Sequence, residues 1–352
     1  NALNIFYMSE ADLAKQINIL QMAVESLEIS RAFGRQATIT YNLGLSYLLF
    51  GLYHRAAELI ENACNFARKT NTLDSFMLYS LFLAFAFIRQ HELEKANHTL
   101  EEFLSLIEQI GQQGGMIPIY HMFMGMYLSE KAEYDRALSH LDQAYEGFKG
   151  LPQQANVKAI IGEVFLGQGK VDEALESSKR AIALIEEFQV AQSILSPQWI
   201  WWSHYKALTA NKALISDPNE MWKALDQAFN LMIHSIRTLS DDGLRRNYFN
   251  KIPEHREILQ TWLSEARKRG ESITRLTDQI ANRGGFQETF KRLVEIGTRM
   301  NTVREPNKLV RFVMNELLEL TGAEQALLFI EDQQGNLNYQ QPAASYLFQK
   351  QS

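Results

Sequence analysis

Four short stretches of this chain carry residue types that could do chemistry. In "LGQGKV" (Leu166–Val171) glycines stand beside a lysine, as in a phosphate-binding loop. Such a loop needs Gly, four residues, then Gly-Lys-Ser/Thr, because backbone amides cradle the phosphates while the lysine and the hydroxyl reach phosphate and magnesium. Here Val164 occupies the first glycine position and Val171 the hydroxyl position, so the stretch reads as a turn. His91 followed by Glu92 suggests a helical zinc motif, in which the second histidine lies four residues after the first so that both imidazoles share a face. The next histidine is His98, seven residues on. Cys64 is the single cysteine and has no partner thiol; a small buried hydrophobe is its expected role. "NHT" (Asn97–Thr99) fits a glycosylation sequon, but it falls in a helical pattern of a chain with no secretion signal.

No serine sits in a nucleophile elbow, and the carboxylates are spread along helix surfaces. The expectation is a chain without catalytic, cofactor-binding or metal-binding residues. Arg245, Arg246, Lys251, Arg256, Arg267, Lys268 and Arg269 are interleaved with Asp241, Asp242, Glu254, Glu257, Glu265 and Glu271. That balance, with a formal net charge of -6, argues against a nucleic-acid face, which is usually basic. The apolar run from Phe76 to Ile88 contains Tyr79 and Ser80 and is shorter than the roughly 20 residues a membrane span needs. With no signal pattern and one cysteine, the chain reads as cytoplasmic. It starts on Asn1 without a methionine and reads as a piece of a longer protein of two or three domains.

Among the elements that would position such residues, the dominant pattern is an internal repeat. A small residue in one helix is followed twelve positions later by an alanine in the next: Gly44 with Ala56, Ala84 with Ala96, Gly125 with Ala137, Gly162 with Ala174. Small residues let two antiparallel helices approach closely, while large ones fill the gap to the next hairpin. Leu43, Tyr47, Gly51, Tyr53, Ala56 and Ala63 fill nearly every signature position of the tetratricopeptide repeat, which this stretch resembles. Successive alanines are spaced by 40, 41 and 37 residues, longer than the roughly 34 of the standard repeat. The expected fold is therefore mainly α: a superhelical solenoid of five to six long hairpins over residues 1–237. A degenerate fifth repeat is marked by "LDQAF" (Leu225–Phe229), with Asp217 capping a helix that starts at Pro218.

Residues 238–283 read as a helical cap or linker, two helices broken at Pro253, and resemble the region that closes repeat arrays in large bacterial signalling proteins. From residue 284 the pattern changes. Phe290, Leu293, Ile296 and Met300 share one helical face, and Leu309, Phe312, Val313, Leu317 and Leu320 share another. "QALLFIED" (Gln325–Asp332) is a strand, "QQG" a turn and "NLNYQ" a second strand. This order resembles the opening of a GAF domain, the small-molecule sensing fold of bacterial signalling proteins, incomplete over 284–352. No ligand residue carries over.

In the tetratricopeptide family the first helix of each hairpin lines the concave face that contacts bound peptides. Matching by the signature glycine or alanine assigns Tyr41, Leu45 and Leu48, then Leu81, Phe85 and Ile88, then Met122 and Met126 to that face. Tyr41 and Leu45 stand where the family's carboxylate-clamping mode has lysine and asparagine. An apolar, methionine-rich groove suits an amphipathic helix or another domain of the same protein; alternatively these residues pack between repeats. The resemblances imply a regulatory segment that docks a protein or peptide partner, with a homodimer contact through the helix 287–300. The competing implication is the sensor arm of a histidine kinase, nucleotide cyclase or STAND ATPase, or a structural scaffold.

Overall fold

The computed structural model describes residues 33–110, 115–188, 195–211, 217–237, 242–270, 325–331 and 337–344, with single helical positions between 17 and 24. Among the described residues, ten helices pair as five antiparallel hairpins. They are α1 (Phe33–Leu49) with α2 (Tyr53–Lys69), α3 (Leu73–Arg89) with α4 (Leu93–Ile110) and α5 (Ile117–Glu130) with α6 (Tyr134–Gly147). Then come α7 (Gln153–Gly167) with α8 (Val171–Phe188) and α9 (Pro197–Ala210) with α10 (Pro218–Arg237). A further pair, α11 (Asp242–Asn250) and α12 (Pro253–Arg269), follows the array, with the break at Pro253 that the sequence indicates. Two strands, β1 (Gln325–Glu331) and β2 (Leu337–Ala344), form an antiparallel hairpin where the first strands of the C-terminal region are expected. The helices expected between 286 and 320, including the dimer helix 287–300, lie outside the described residues.

The small-residue pairs are the contact points of the hairpins. A Cβ added to Gly44 would sit 2.6 Å from Ile60 Cγ1 and 3.3 Å from the Ala56 carbonyl; at Gly125 it would meet Leu141 Cγ at 2.6 Å and the Ala137 carbonyl at 3.3 Å. Ala84, Ala96, Ala137 and Ala174 are completely buried. Gly162 differs: its nearest neighbour would be the Ala174 carbonyl at 3.4 Å, because serines stand where the other repeats carry a branched side chain. The second helices are amphipathic, while the first are buried almost all round. In α3, Phe76, Met77, every residue from Tyr79 to Ala86 and Ile88 are buried, as a helix enclosed by neighbours must be.

The turns of the first four hairpins repeat the same backbone solution. Seven residues after the small residue, Gly51 (φ 70°), His91 (φ 58°), Ala132 (φ 58°) and Gly169 (φ 74°) adopt the left-handed conformation. The next amide then reaches back into the helix just ended: Leu52 N–H to Tyr47 O at 3.1 Å, Glu92 to Phe87 at 3.0 Å, Glu133 to Leu128 at 2.9 Å, Lys170 to Phe165 at 2.9 Å. These bonds satisfy carbonyls that a helix end leaves without partners. Gly169 belongs to "LGQGKV", whose glycine therefore serves a turn. At the fifth hairpin, Asp217 Oδ1 accepts from the Asn219 amide at 2.9 Å, the cap read from the sequence.

The unequal crowding of the glycines gives a test. Gly125→Ala forces a methyl into Leu141 and should cost about 2 kcal/mol, whereas Gly162→Ala meets only ordinary contacts and gains helix propensity. Thermal melts should place Gly125→Ala well below the parent and Gly162→Ala at or above it; equal losses would refute the contact register.

Candidate functional site

The residues assigned to a partner-facing groove are placed by the structure in the core. Tyr41, Leu45, Leu48, Leu81, Phe85, Ile88 and Met122 are buried, and Met126 is half-buried against the same cluster. The cause is lateral packing of the first helices through their rings. Tyr41 stacks on Tyr79 with centroids 4.1 Å apart, Phe82 is edge-on to both Tyr41 and Phe123 at 5.9 and 5.6 Å, and Phe85 stacks on Phe123 at 5.1 Å. This ladder joins α1, α3 and α5. These side chains hold neighbouring hairpins together.

What the sequence did not indicate is where the α11–α12 corner goes. It spans the array, touching the first two hairpins at one end and the fifth at the other. On α12, His255, Ile258, Trp262 and Ala266 form a buried stripe, the spacing of an amphipathic helix. Trp262 stacks on Phe229 at 4.0 Å and donates to Asp226 at 2.9 Å, covering α10. Trp202 of α9 donates to Glu257 at 3.2 Å.

At the other end, Phe50 lies edge-on to Tyr248 at 6.2 Å, and Gly51 gives the corner room. A Cβ on Gly51 would sit 2.8 Å from Ile252 Cγ1 and 3.0 Å from Lys251 backbone. Arg89, at the end of α3, forms a two-pronged ion pair with Glu254, both N–O distances 2.7 Å, and also donates to the Tyr53 hydroxyl at 3.1 and 3.2 Å. The residues joined lie 165 positions apart.

The electrostatics of this contact follow from burial. The side chains of Arg89 and Glu254 are 22% and 14% exposed. Burial opposes the charge on each, yet Tyr53 and Glu254 hold the Arg89 guanidinium protonated, and Arg89 holds the Glu254 carboxyl below the usual carboxylate range. Behind the pair, His255 Nδ1 donates to the Tyr248 carbonyl at 2.8 Å, so its Nε2 accepts from the Gln198 amide at 3.2 Å. Gln198 also donates to the Tyr248 hydroxyl at 2.6 Å. Burial lowers His255 to about 4, so the ring is neutral at pH 7.

None of the earlier motif candidates forms a reaction centre. Cys64 is buried and its thiol is pushed up to about 12 by desolvation. His91 pairs with Glu130 at 3.3 Å on the surface. His98 borders a cleft of about 260 Å³ between α2, α3 and α4, with Cys64, Arg68, Phe87 and Glu102. No group of three or more His, Cys, Asp or Glu with metal-binding placement occurs among the described residues, and no helix among them is long and apolar enough to cross a membrane.

No protein-family profile and no curated protein matches the chain. Solved structures do. A Rap protein complexed with Competence and Sporulation Factor is 15% identical, with 72% of this chain and 70% of that one covered and a TM-score of 0.52. The Rap conjugation gene regulator of the plasmid pLS20, in complex with the Phr* peptide, is 14% identical over 76% and 71%, TM-score 0.52. The apo form of RapI is 15% identical over 73% and 93%, TM-score 0.50. At such identities the likeness concerns the fold alone. The fold is a tetratricopeptide-like helical-repeat solenoid.

Two outcomes test the closing contact. Arg89→Ala strands a buried carboxylate and should cost about 3 kcal/mol, while replacing both partners, Arg89→Met with Glu254→Leu, should recover most of that loss. Additive losses in a double-mutant melt would mean that the two side chains are not coupled. For pH, the folded state holds His255 near 4 while the unfolded ring takes protons near 6.5. The unfolded chain therefore binds more protons in that interval, and stability present above pH 6.5 is lost as pH falls toward 4. Glu254, depressed in the folded state, adds a loss at the acid end. Melting midpoints should fall from pH 7 to pH 4.5, and less in His255→Gln; identical slopes would remove His255 from the cause.

Proposed function

We propose that this chain is a non-enzymatic regulatory segment of a bacterial, cytoplasmic signal-transduction protein. Its solenoid, residues 1–237, docks a protein or peptide partner. The cap, 238–283, reports that event to a GAF-type sensor module that opens at 284–352. The observation that carries this reading is the seat of the α11–α12 corner, an amphipathic helical pair bound to the first two hairpins through Glu254 and Ile252 and to the fifth through Trp262.

A segment held this way leaves if another helix offers the same groups. The partner it fits is an amphipathic helix with an acidic residue for Arg89 and Tyr53 and apolar residues four and eight positions later, as Glu254, Ile258 and Trp262 are arranged. On this reading the groove residues named above, from Tyr41 to Met126, are the packed foundation beneath the docking surface. Two solenoids of similar fold are held in complex with a factor or a peptide, which supports docking as the role. The release of the cap is then the signal, since α12 leads directly into the residues that follow.

A displayed library of amphipathic peptides, panned on the parent chain and on Glu254→Gln, tests the proposal. Enriched peptides should carry the acidic–apolar register, bind the variant more tightly, and be displaced by a synthetic 242–270 peptide. No enrichment over scrambled sequences on either form would overturn it.

A further inference from the structure

The third hairpin carries a pair of histidines that neither the repeat packing nor the closing contact uses. His121 stands on α5 and His140 on α6, nineteen residues apart, with Nδ1 to Nδ1 only 2.8 Å. The ring centroids are 5.1 Å apart and the planes tilted by 38°. Tyr120 lies edge-on to both rings, at 5.2 and 6.2 Å, and is itself stacked on Phe103 at 5.5 Å. Both histidines are half-buried, so one side of the pair is fenced by packed rings while water reaches the other.

From this geometry we infer a site for a divalent transition-metal ion of tetragonal preference, Ni(II) or Cu(II), chelated by His121 Nδ1 and His140 Nδ1. Metal–imidazole bonds are about 2.0 Å long, so two nitrogens bound at a right angle lie about 2.8 Å apart, the spacing already present. Square-planar and tetragonal nitrogen sites are the preference of Cu(II) and Ni(II). Tetrahedral binding of zinc would need the nitrogens about 3.3 Å apart at the same bond length, so the hairpin would have to spread.

The protonation states suit a ligand pair. Metal binding requires neutral imidazole. Desolvation lowers His121 to about 4, with His140 adding to the effect, and desolvation together with Arg136 lowers His140. In the empty pair one Nδ1–H donates to the other Nδ1. On binding, that proton moves to Nε2 of the same ring, both Nδ1 lone pairs go to the metal, and no net proton is released near pH 7. Arg136 on α6 disfavours a cation, while the negative charges of Glu101 and Glu108 on α4 act on Tyr120. Water completes the plane. The consequence for the fold is a clamp between the two helices of one hairpin.

Calorimetric titration of the chain with NiCl2 tests this, with His121→Gln, His140→Gln and, as a surface control, His91→Gln. One ion per chain should bind in the parent and in His91→Gln, each pair variant should bind at least tenfold more weakly, and Ni(II) should raise the melting midpoint only where the pair is intact. Equal affinities in parent and pair variants would overturn the site, leaving only a hydrogen bond between the rings. Should either variant fail to fold, electron paramagnetic resonance of the parent with one equivalent of CuCl2 decides: coupling to two imidazole nitrogens supports the site, and any other nitrogen count refutes it.

Discussion

The architecture depends on one steric condition: inside each of the first four hairpins, the first helix has no side chain beyond a methyl where it crosses the second. Gly44 and Gly125 meet that condition with almost no room to spare, since a Cβ on either would come within 2.6 Å of a buried Ile or Leu. The close crossing lets the second helix keep a narrow apolar stripe and leaves the first helix free to bury its remaining surface against neighbouring hairpins. A looser crossing would separate the hairpins, and the ring ladder from Tyr41 to Phe85 would lose its stacking distances. Repeat arrays transmit such effects only through nearest neighbours, so each small residue acts on its own hairpin and the two beside it.

The buried α3 run follows from the same geometry. "SFMLYSLFLAFAFI" is apolar on every side because α1, α2, α4 and α5 enclose it, and periodicity disappears when there is no solvent face. Its one charged residue near the end, Arg89, points to the closing corner. A buried ion pair of this kind adds little net stability, because desolvation consumes most of its attraction. Its value is directional: with Tyr53, Arg89 accepts a carboxylate in one geometry, and apolar contacts at Ile252 and Phe50 supply the affinity.

Much of this was legible in the residues. The four small-residue pairs, the turn at Gly169, the Asp217 cap, the break at Pro253 and the first of the two strands follow from local spacing, which a sequence displays directly. Leu81, Phe85 and Ile88, assigned from the family register to a partner-facing side, are buried in the folded chain. Family register says which way a side chain points but not whether something already lies there, and long first helices with aromatic faces pack side by side. The contact of Arg89 with Glu254 had no local signal, because two charged residues 165 positions apart look like any other pair of solvated charges.

Gly51 shows why the closing contact stayed hidden. It fills a signature position of the repeat and adopts φ 70° in the first turn, so its presence is fully explained by the turn alone. In the folded chain the same missing Cβ also admits Ile252 and Lys251. Two of the other turns manage with His91 and Ala132 at the same left-handed position, which shows that the turn tolerates a side chain at modest strain. At Gly51 a side chain would meet the corner as well. The requirement for glycine there is therefore set by the docked α11–α12 pair more than by the turn, and one position ties the first hairpin's geometry to the closure of the whole array.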